Sequence, residues 1–277
     1  MLASNQQPLI VISAPNGARL TQAEHPALPI TPTELASEAE RLVEVGVSVL
    51  HLHVRDENQQ HSLEPKHYLP AIEAIKKQVD DKLIIQITTE AVGMYDRHQQ
   101  MAAVREIKPE AASIALRELC PGDNCMPEAL DFFVELKEQN CWTQFILYDL
   151  DDLERFEKLR EADLLGWEHP FALFVLGRYS EKLLGNPQEI YEFLENSYHK
   201  KFPWAMCCFG HTESEAATIA SNEHGHIRIG FENNQVLSNQ QPAQGNADLV
   251  SHTIELIKQS GCQRELATAD WIRNHLI

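Results

Sequence analysis

The sequence lacks any apolar run long enough to cross a membrane, and it lacks the features of a secretory signal. A membrane-spanning helix needs about 20 consecutive apolar residues, and no stretch of the 277 residues approaches that length. The N-terminus, MLASNQQPLIVI, has no basic segment and only a four-residue apolar run. We therefore expect no membrane partner and a cytoplasmic location.

Cysteine is scarce, and its spacing indicates no redox or metal-binding motif. None of the six cysteines forms a C-x-x-C pair, and a chain of this length builds a core without disulfide bonds. We expect reduced, mostly buried thiols. The glycine fingerprint of dinucleotide-binding folds is also missing, because the turn SAPNGARLT does not contain G-x-G-x-x-G.

Positive charge is in short supply. The chain carries 23 Lys and Arg residues against 41 Asp and Glu residues, which gives a formal net charge of −18. Such a surface argues against nucleic acid or an anionic membrane as the main partner. An anionic small molecule remains compatible with it, because a local arginine cluster overrides the overall field.

Apolar segments alternate with amphipathic helical patterns along the whole chain. Eight such units in about 250 residues predict a closed (β/α)₈ barrel of class α/β, rather than an open doubly wound sheet. We expect one domain over residues 1–277, with TADWIRNHL as a short C-terminal helical extension and Thr31 as the N-cap of the first helix. The apolar segments are PLIVISAP, VSVLHLHV, KLIIQITT, AASIAL, WTQFILYD, FALFVLG, WAMCCFG and HIRIGF.

Two histidines interrupt the second strand, in GVSVLHLHVRD. Side chains at positions i and i+2 of a strand point to the same face, so His51 and His53 point the same way. Both lie towards the C-terminal end of the strand, where barrel enzymes place their active sites. One interpretation is that the two buried imidazoles bind a divalent metal, which satisfies both at once. The alternative is that each is an ordinary core histidine with its own hydrogen-bond partner.

The eighth strand, HIRIGFENN, offers a third ligand. Alternation places Arg228 and Glu232 on one face, and the closed barrel brings this strand within reach of the second. Two histidines and one carboxylate with an open fourth position form a catalytic zinc set, although iron(II) and manganese(II) also accept it. Arg228 is expected to hold a substrate carboxylate, or to form a structural salt bridge.

The sequence resembles the β-keto acid cleavage enzyme family over roughly residues 13–273. The most specific matches are LPITPTE, HLHVRD and GHIRIGFENN, in that order along the chain. The resemblance implies a zinc-dependent barrel that converts a β-keto acid and acetyl-CoA into acetoacetate and a new acyl-CoA. It also implies a homo-oligomer, a dimer or a tetramer.

The resemblance also implies roles for individual residues. Zinc would be held by the two histidines of the HLH motif and the glutamate of the strand-eight motif, which match His51, His53 and Glu232. The remaining catalytic positions of the family match Arg228, Thr88 and Ser113. Hydroxyl residues at such positions are also ordinary strand residues by propensity.

Several positions depart from the family pattern. Asn233 stands where the family has Asp, and Ile146 stands where it has a Glu inside the fifth strand. Charged or titratable residues are new at the same rim, namely Glu90, Arg178 and His211. Of these, His211 has the intrinsic pKa best suited to a general base near neutral pH, so it is the candidate to replace a lost acid. The alternative is that His211 is only a polar residue at the start of the seventh helix.

These departures keep two alternatives open. A metal-dependent hydrolase of the amidohydrolase type would carry His-x-His on its first strand and further histidines on strands five and six, which this sequence lacks. A homologue that binds metal without catalysis is the other alternative, because Asn233 and Ile146 remove two acids together.

Overall fold

Eight parallel strands close into a barrel in the computed structural model, which describes residues 7–198 and 201–277. Each strand pairs with the next one along the chain, and the eighth pairs with the first. The predicted (β/α)₈ barrel is therefore confirmed; residues 1–6 of the predicted domain lie outside the described residues. The strands are β1 (Val11–Ser13), β2 (Val49–Leu52), β3 (Ile84–Thr88), β4 (Ala111–Ala115), β5 (Trp142–Leu147), β6 (Phe171–Leu176), β7 (Trp204–Cys208) and β8 (His226–Ile229).

Helices surround the barrel and none of those described is long and apolar enough to span a membrane. The first begins at the expected cap, where the Thr31 side chain accepts from the Glu34 N–H and the Glu34 carboxylate accepts from the Thr31 N–H. The helices are α1 (Pro32–Glu44), α2 (Pro65–Val79), α3 (Arg97–Ile107), α4 (Leu116–Leu119), α5 (Met126–Glu138), α6 (Leu150–Glu161), α7 (Ile190–Asn196), α8 (Glu213–Asn222), α9 (Asn246–Gln259) and α10 (Ala269–His275).

Alternate residues of each strand fill the barrel interior. The interior is apolar at its N-terminal end, where Trp142 packs edge-on against Phe171 with ring centroids 5.0 Å apart. Helix α10 closes this end because its Ile272 joins the same apolar cluster. Arg273 of α10 also donates to the backbone of Leu83 at 3.1 Å. The opposite, C-terminal end of the barrel is left free for a site.

Two short elements near that end have no counterpart in the sequence pattern. Residues Val54–Arg55 pair antiparallel with His61–Ser62, so the chain folds back on itself directly after β2. The one-turn helix α4 follows β4 without a loop. Both elements bring polar side chains to the mouth of the barrel, as described below.

Strand β8 ends earlier than alternation predicts, because the chain turns at Gly230. This residue has a φ of +150°, and a Cβ added there would lie 2.3 Å from the backbone oxygen of Ala14. Glu232 therefore reaches the mouth from the turn after the strand, where its N–H donates to Ala14. Only glycine fits this position.

Replacing Gly230 with alanine should destabilise the protein strongly. The added methyl group meets fixed backbone at a strained φ, so we expect the free energy of unfolding to fall by about 2–4 kcal/mol. Gly245→Ala is the matched control, since a Cβ there meets nothing within 4 Å, and we expect a change below about 1 kcal/mol. Urea denaturation measures both. Equal stability of the two variants would contradict this account of the turn.

Candidate active site

Three side chains converge at the C-terminal mouth of the barrel. The Nε2 atoms of His51 and His53 lie 3.2 Å apart. The Oε2 atom of Glu232 lies 3.6 Å from the first of these nitrogens and 3.2 Å from the second. Among the residues that the structure describes, these three form the one cluster with the spacing of a metal site.

The local fold accounts for this convergence. His51 points inward from β2, between the inward-facing Val49 and the end of the strand. His53 follows directly, and its backbone oxygen accepts from the Asn16 side chain at 3.0 Å, which ties the end of β2 to the loop after β1. Glu232 comes from the turn after β8 described above. Two strand ends, those of β2 and β8 on either side of β1, thus supply the three side chains.

The triangle of ligand atoms fits a tetrahedral ion. A tetrahedral zinc ion with bonds of about 2.0–2.1 Å separates its ligand atoms by about 3.3–3.4 Å, and the three edges here are 3.2, 3.2 and 3.6 Å. The Nδ1 atom of His51 lies 2.9 Å from the amide oxygen of Gln86. Because that oxygen only accepts, Nδ1 carries the proton and Nε2 presents its lone pair to the centre of the triangle.

Burial and charge keep these groups in metal-binding protonation states. Burial, assisted by the Arg228 guanidinium, lowers the pKa of His51 to about 3, so its imidazole is neutral. Burial alone would raise the pKa of Glu232. The positive field of Arg228, together with the hydrogen bond between Glu232 and His53, outweighs it and holds that pKa well below the ordinary value. A neutral imidazole and an ionised carboxylate are the forms that bind a divalent cation.

Arg228 points inward from β8 beside the triangle. Its guanidinium is 4% exposed, and one amino group donates to the Oε1 atom of Glu232 at 3.0 Å. Its Nε has no hydrogen-bond partner among the described residues. Arg228 also lines the cavity above the triangle, so its guanidinium is placed to meet an anion there.

Two adjoining cavities open above the triangle. The inner cavity is lined by His51, Thr88, Thr89, Glu90, Ala115, Glu118, Ile146, Tyr148, Val175, Arg178, Phe209, Arg228 and Glu232. The outer cavity has a volume of about 390 Å³ and is lined mainly by residues 16–20, 209–211 and 231–236. Glu90, Arg178, Phe209 and Glu232 line both, so they mark the junction between the cavities.

The remaining sequence candidates fall at different depths. Thr88 lines the inner cavity, and its Oγ1 accepts from the Glu90 N–H at 3.0 Å, which leaves the hydroxyl proton free. Ser113 is fully buried and its Oγ has no partner among the described residues, but it does not line either cavity. His211 is exposed and lines the outer cavity but not the inner one.

Asn233 faces a carboxylate that sequence reasoning missed. Its amide donates to Glu213 Oε1 at 3.1 Å and to the Arg228 backbone oxygen at 3.3 Å. Glu213 is 1% exposed and also accepts from the Gly230 N–H and the Asn234 amide. Burial raises the pKa of Glu213 to about 8, although these donors act in the opposite direction. No local pattern at the start of α8 signals this contact.

Other polar residues at the mouth also escaped the sequence reasoning. Gln86, in the strand segment IIQIT, accepts a hydrogen bond from His51 and so fixes the orientation of that imidazole. Its position could have been predicted, because it lies two residues before Thr88 and therefore on the same, inward face of the strand. His61, in the hairpin strand, places its ring 5.5 Å from that of His53. Glu118 reaches the inner cavity from α4, which the strand pattern did not predict.

A closed parallel barrel with a candidate metal site at its C-terminal mouth defines an enzyme-type (β/α)₈ barrel. The family model for beta-keto acid cleavage enzymes matches residues 8–277, nearly the whole chain. The chain therefore belongs to the β-keto acid cleavage enzyme family, whose members cleave carbon–carbon bonds, as its HLHVRD and GHIRIGFENN motifs indicated.

Characterised relatives span the same length. The 3-keto-5-aminohexanoate cleavage enzyme of Fusobacterium nucleatum is 28% identical over 273 residues, covering 97% of each chain. The 3-oxoadipate:acetyl-CoA acetyltransferase of Cupriavidus necator is 27% identical, covering 95% of this chain and 92% of that protein.

The fold also matches a solved structure at lower sequence identity. The complex of ObcA with oxaloacetate superposes with a TM-score of 0.73 at 16% identity, over 91% of this chain and 67% of the ObcA chain. At that identity the likeness concerns the barrel fold alone.

Proposed function

We propose that the protein is a zinc-dependent enzyme that converts a β-keto acid and acetyl-CoA into acetoacetate and a new acyl-CoA. The observation that carries the proposal is the ligand triangle of His51, His53 and Glu232 beside the partly unpaired Arg228, in a chain of this family. Zinc, when bound, would supply Lewis-acid polarisation of a keto oxygen. We propose a homo-oligomer, dimer or tetramer, in the cytoplasm.

The chain's own residues bind and orient the keto acid in this proposal. The guanidinium of Arg228, which lines the inner cavity, holds the substrate carboxylate, whose charge it matches. The free hydroxyl proton of Thr88 donates to a second substrate oxygen. Ile146 and Val175 give the inner cavity an apolar wall for the carbon chain of the keto acid.

The outer cavity suits the thioester. Its volume of about 390 Å³ lies in the range of small-molecule pockets, and it joins the inner cavity at Glu90 and Arg178. An acyl thioester entering this way would bring its carbonyl to the junction, next to the keto acid. The C2–C3 bond of the keto acid and the acetyl–sulfur bond would break, while an acetyl–C2 bond and a new thioester form.

The test is a screen of the purified, zinc-loaded protein against a panel of β-keto acids with acetyl-CoA. We expect at least one keto acid to yield acetoacetate and the matching acyl-CoA in equal amounts, measured by liquid chromatography and mass spectrometry. Metal-depleted protein is the control and should be inactive. Release of free CoA without a new acyl-CoA would favour the hydrolase alternative, and zinc binding without any conversion would favour the metal-binding homologue.

A further inference from the structure

We propose that Glu90 is the base that takes a proton from carbon 2 of the keto acid and later returns it, a proposal that rests on the function proposed above. The C–H electron pair would pass into the keto group as an enolate while the Glu90 carboxylate becomes a carboxylic acid. Carbon 2 then attacks the acetyl thioester and CoA thiolate leaves. The thiolate attacks the original keto carbon, the C2–C3 bond breaks, and Glu90 returns its proton to carbon 2 of acetoacetate.

Few groups in the inner cavity are able to accept that proton. Its lining contains three carboxylates, Glu90, Glu118 and Glu232. Glu232 is engaged by Arg228 and faces both histidines of the candidate metal site. The choice therefore lies between Glu90 and Glu118.

Two observations favour Glu90 over Glu118. Glu90 lines both cavities, at the junction where a thioester would meet the keto acid, whereas Glu118 lines the inner cavity alone. Glu118 is also already engaged, because its Oε2 accepts from the Ala91 N–H at 3.2 Å and from the Gln100 amide at 2.6 Å.

Glu90 is held in place at three points. Its N–H donates to Thr88 Oγ1 at 3.0 Å, and its backbone oxygen accepts from His61 Nε2 at 2.8 Å. Its carboxylate Oε1 accepts from Arg178 at 2.9 Å, and the Arg178 guanidinium in turn lies 5.6 Å from the centre of the Phe209 ring. The base is thus oriented before substrate binds, which is what proton transfer at carbon requires.

The chemistry of the surroundings suits a base at this position. Burial raises the pKa of Glu90, which makes its carboxylate a stronger base than one in water. The other residues considered for this role are less suitable. The Asn233 amide donates to Glu213 and has no basic atom, and His211 lines only the outer cavity.

The test is solvent deuterium exchange at carbon 2 of an accepted keto acid, followed by proton NMR without acetyl-CoA and corrected for the rate without protein. We expect Glu90→Gln to lower the exchange rate by at least about 100-fold, because general base catalysis contributes about 10²–10⁴-fold. Zinc content and keto acid affinity should stay close to those of the parent. Glu118→Gln removes the rival carboxylate of the same cavity and should exchange much faster than Glu90→Gln. Glu215→Gln is the matched control, an exposed carboxylate on α8 outside both cavities, and should exchange within about threefold of the parent.

Glu90→Asp tests the assignment even if Glu90→Gln fails to fold, because the aspartate keeps a carboxylate for Arg178. We expect the exchange rate of Glu90→Asp to lie between those of the parent and Glu90→Gln. A Glu90→Gln protein that exchanges at the parent's rate overturns the assignment while leaving the proposed reaction intact. So does loss of exchange in Glu118→Gln alone. A parent protein that neither exchanges deuterium nor converts any keto acid overturns the proposed function and this inference together.

Discussion

Replacing His53 with alanine should remove the metal and, with it, the activity. The two remaining ligand atoms, on His51 and Glu232, lie 3.6 Å apart, and two ligands do not hold a catalytic zinc ion against solvent. The change also removes the His53 contact that helps to lower the pKa of Glu232. We expect bound zinc to fall below about a tenth of one equivalent and turnover to fall by at least about 10³-fold.

Atomic emission on dialysed protein measures the metal, and the panel assay measures turnover. His98→Ala is the matched control, because that histidine is exposed on α3 and pairs with Glu128, far along the chain from the site. It should retain the parent's zinc content. Full zinc occupancy in the His53→Ala protein would refute the ligand assignment, whatever its activity.

The barrel and the metal triangle were predictable from the sequence because both depend on local patterns. Each interior strand is buried on both faces, so it appears as a short apolar run followed by an amphipathic helix. His51 and His53 stand out because they break such a run at a spacing of two residues. Glu232 was placed correctly at the mouth, even though the strand ends at Ile229 and the turn at Gly230 delivers it.

The contacts among the polar residues around the triangle were not predictable, because the partners are far apart along the chain. Glu90 and Arg178 are 88 positions apart and meet only when β3 and β6 take their places in the barrel. His61 supports Glu90 through a hairpin that the strand pattern did not reveal. No local periodicity carries information about such contacts.

Asn233 has a contact that the motif alone does not show. Next to the family pattern it looked like a lost acid, yet the structure places the buried carboxylate of Glu213 against it. An aspartate at this position would set two buried carboxylates side by side and would have no N–H to donate to the Arg228 backbone oxygen. The asparagine and the glutamate are therefore best understood as a matched pair.

Replacing Arg228 with lysine should leave the zinc content unchanged and remove most of the activity. The residue is buried, lines the inner cavity and donates to Glu232 through one amino group, while its Nε has no hydrogen-bond partner among the described residues. A lysine ammonium would be able to satisfy Glu232, because that contact needs a single donor. It would not reproduce the planar set of donors for a substrate carboxylate.

We therefore expect kcat/KM on the best keto acid to fall by about 10²–10³-fold in Arg228→Lys, with zinc content within error of the parent. Arg155→Lys is the matched control, since this arginine contacts Cys120 outside both cavities; its kinetics should be unchanged. An Arg228→Lys protein with the parent's kcat/KM would make the arginine a structural partner of Glu232 and nothing more. Loss of zinc in the same variant would mean that Arg228 acts by positioning Glu232 rather than by binding the substrate.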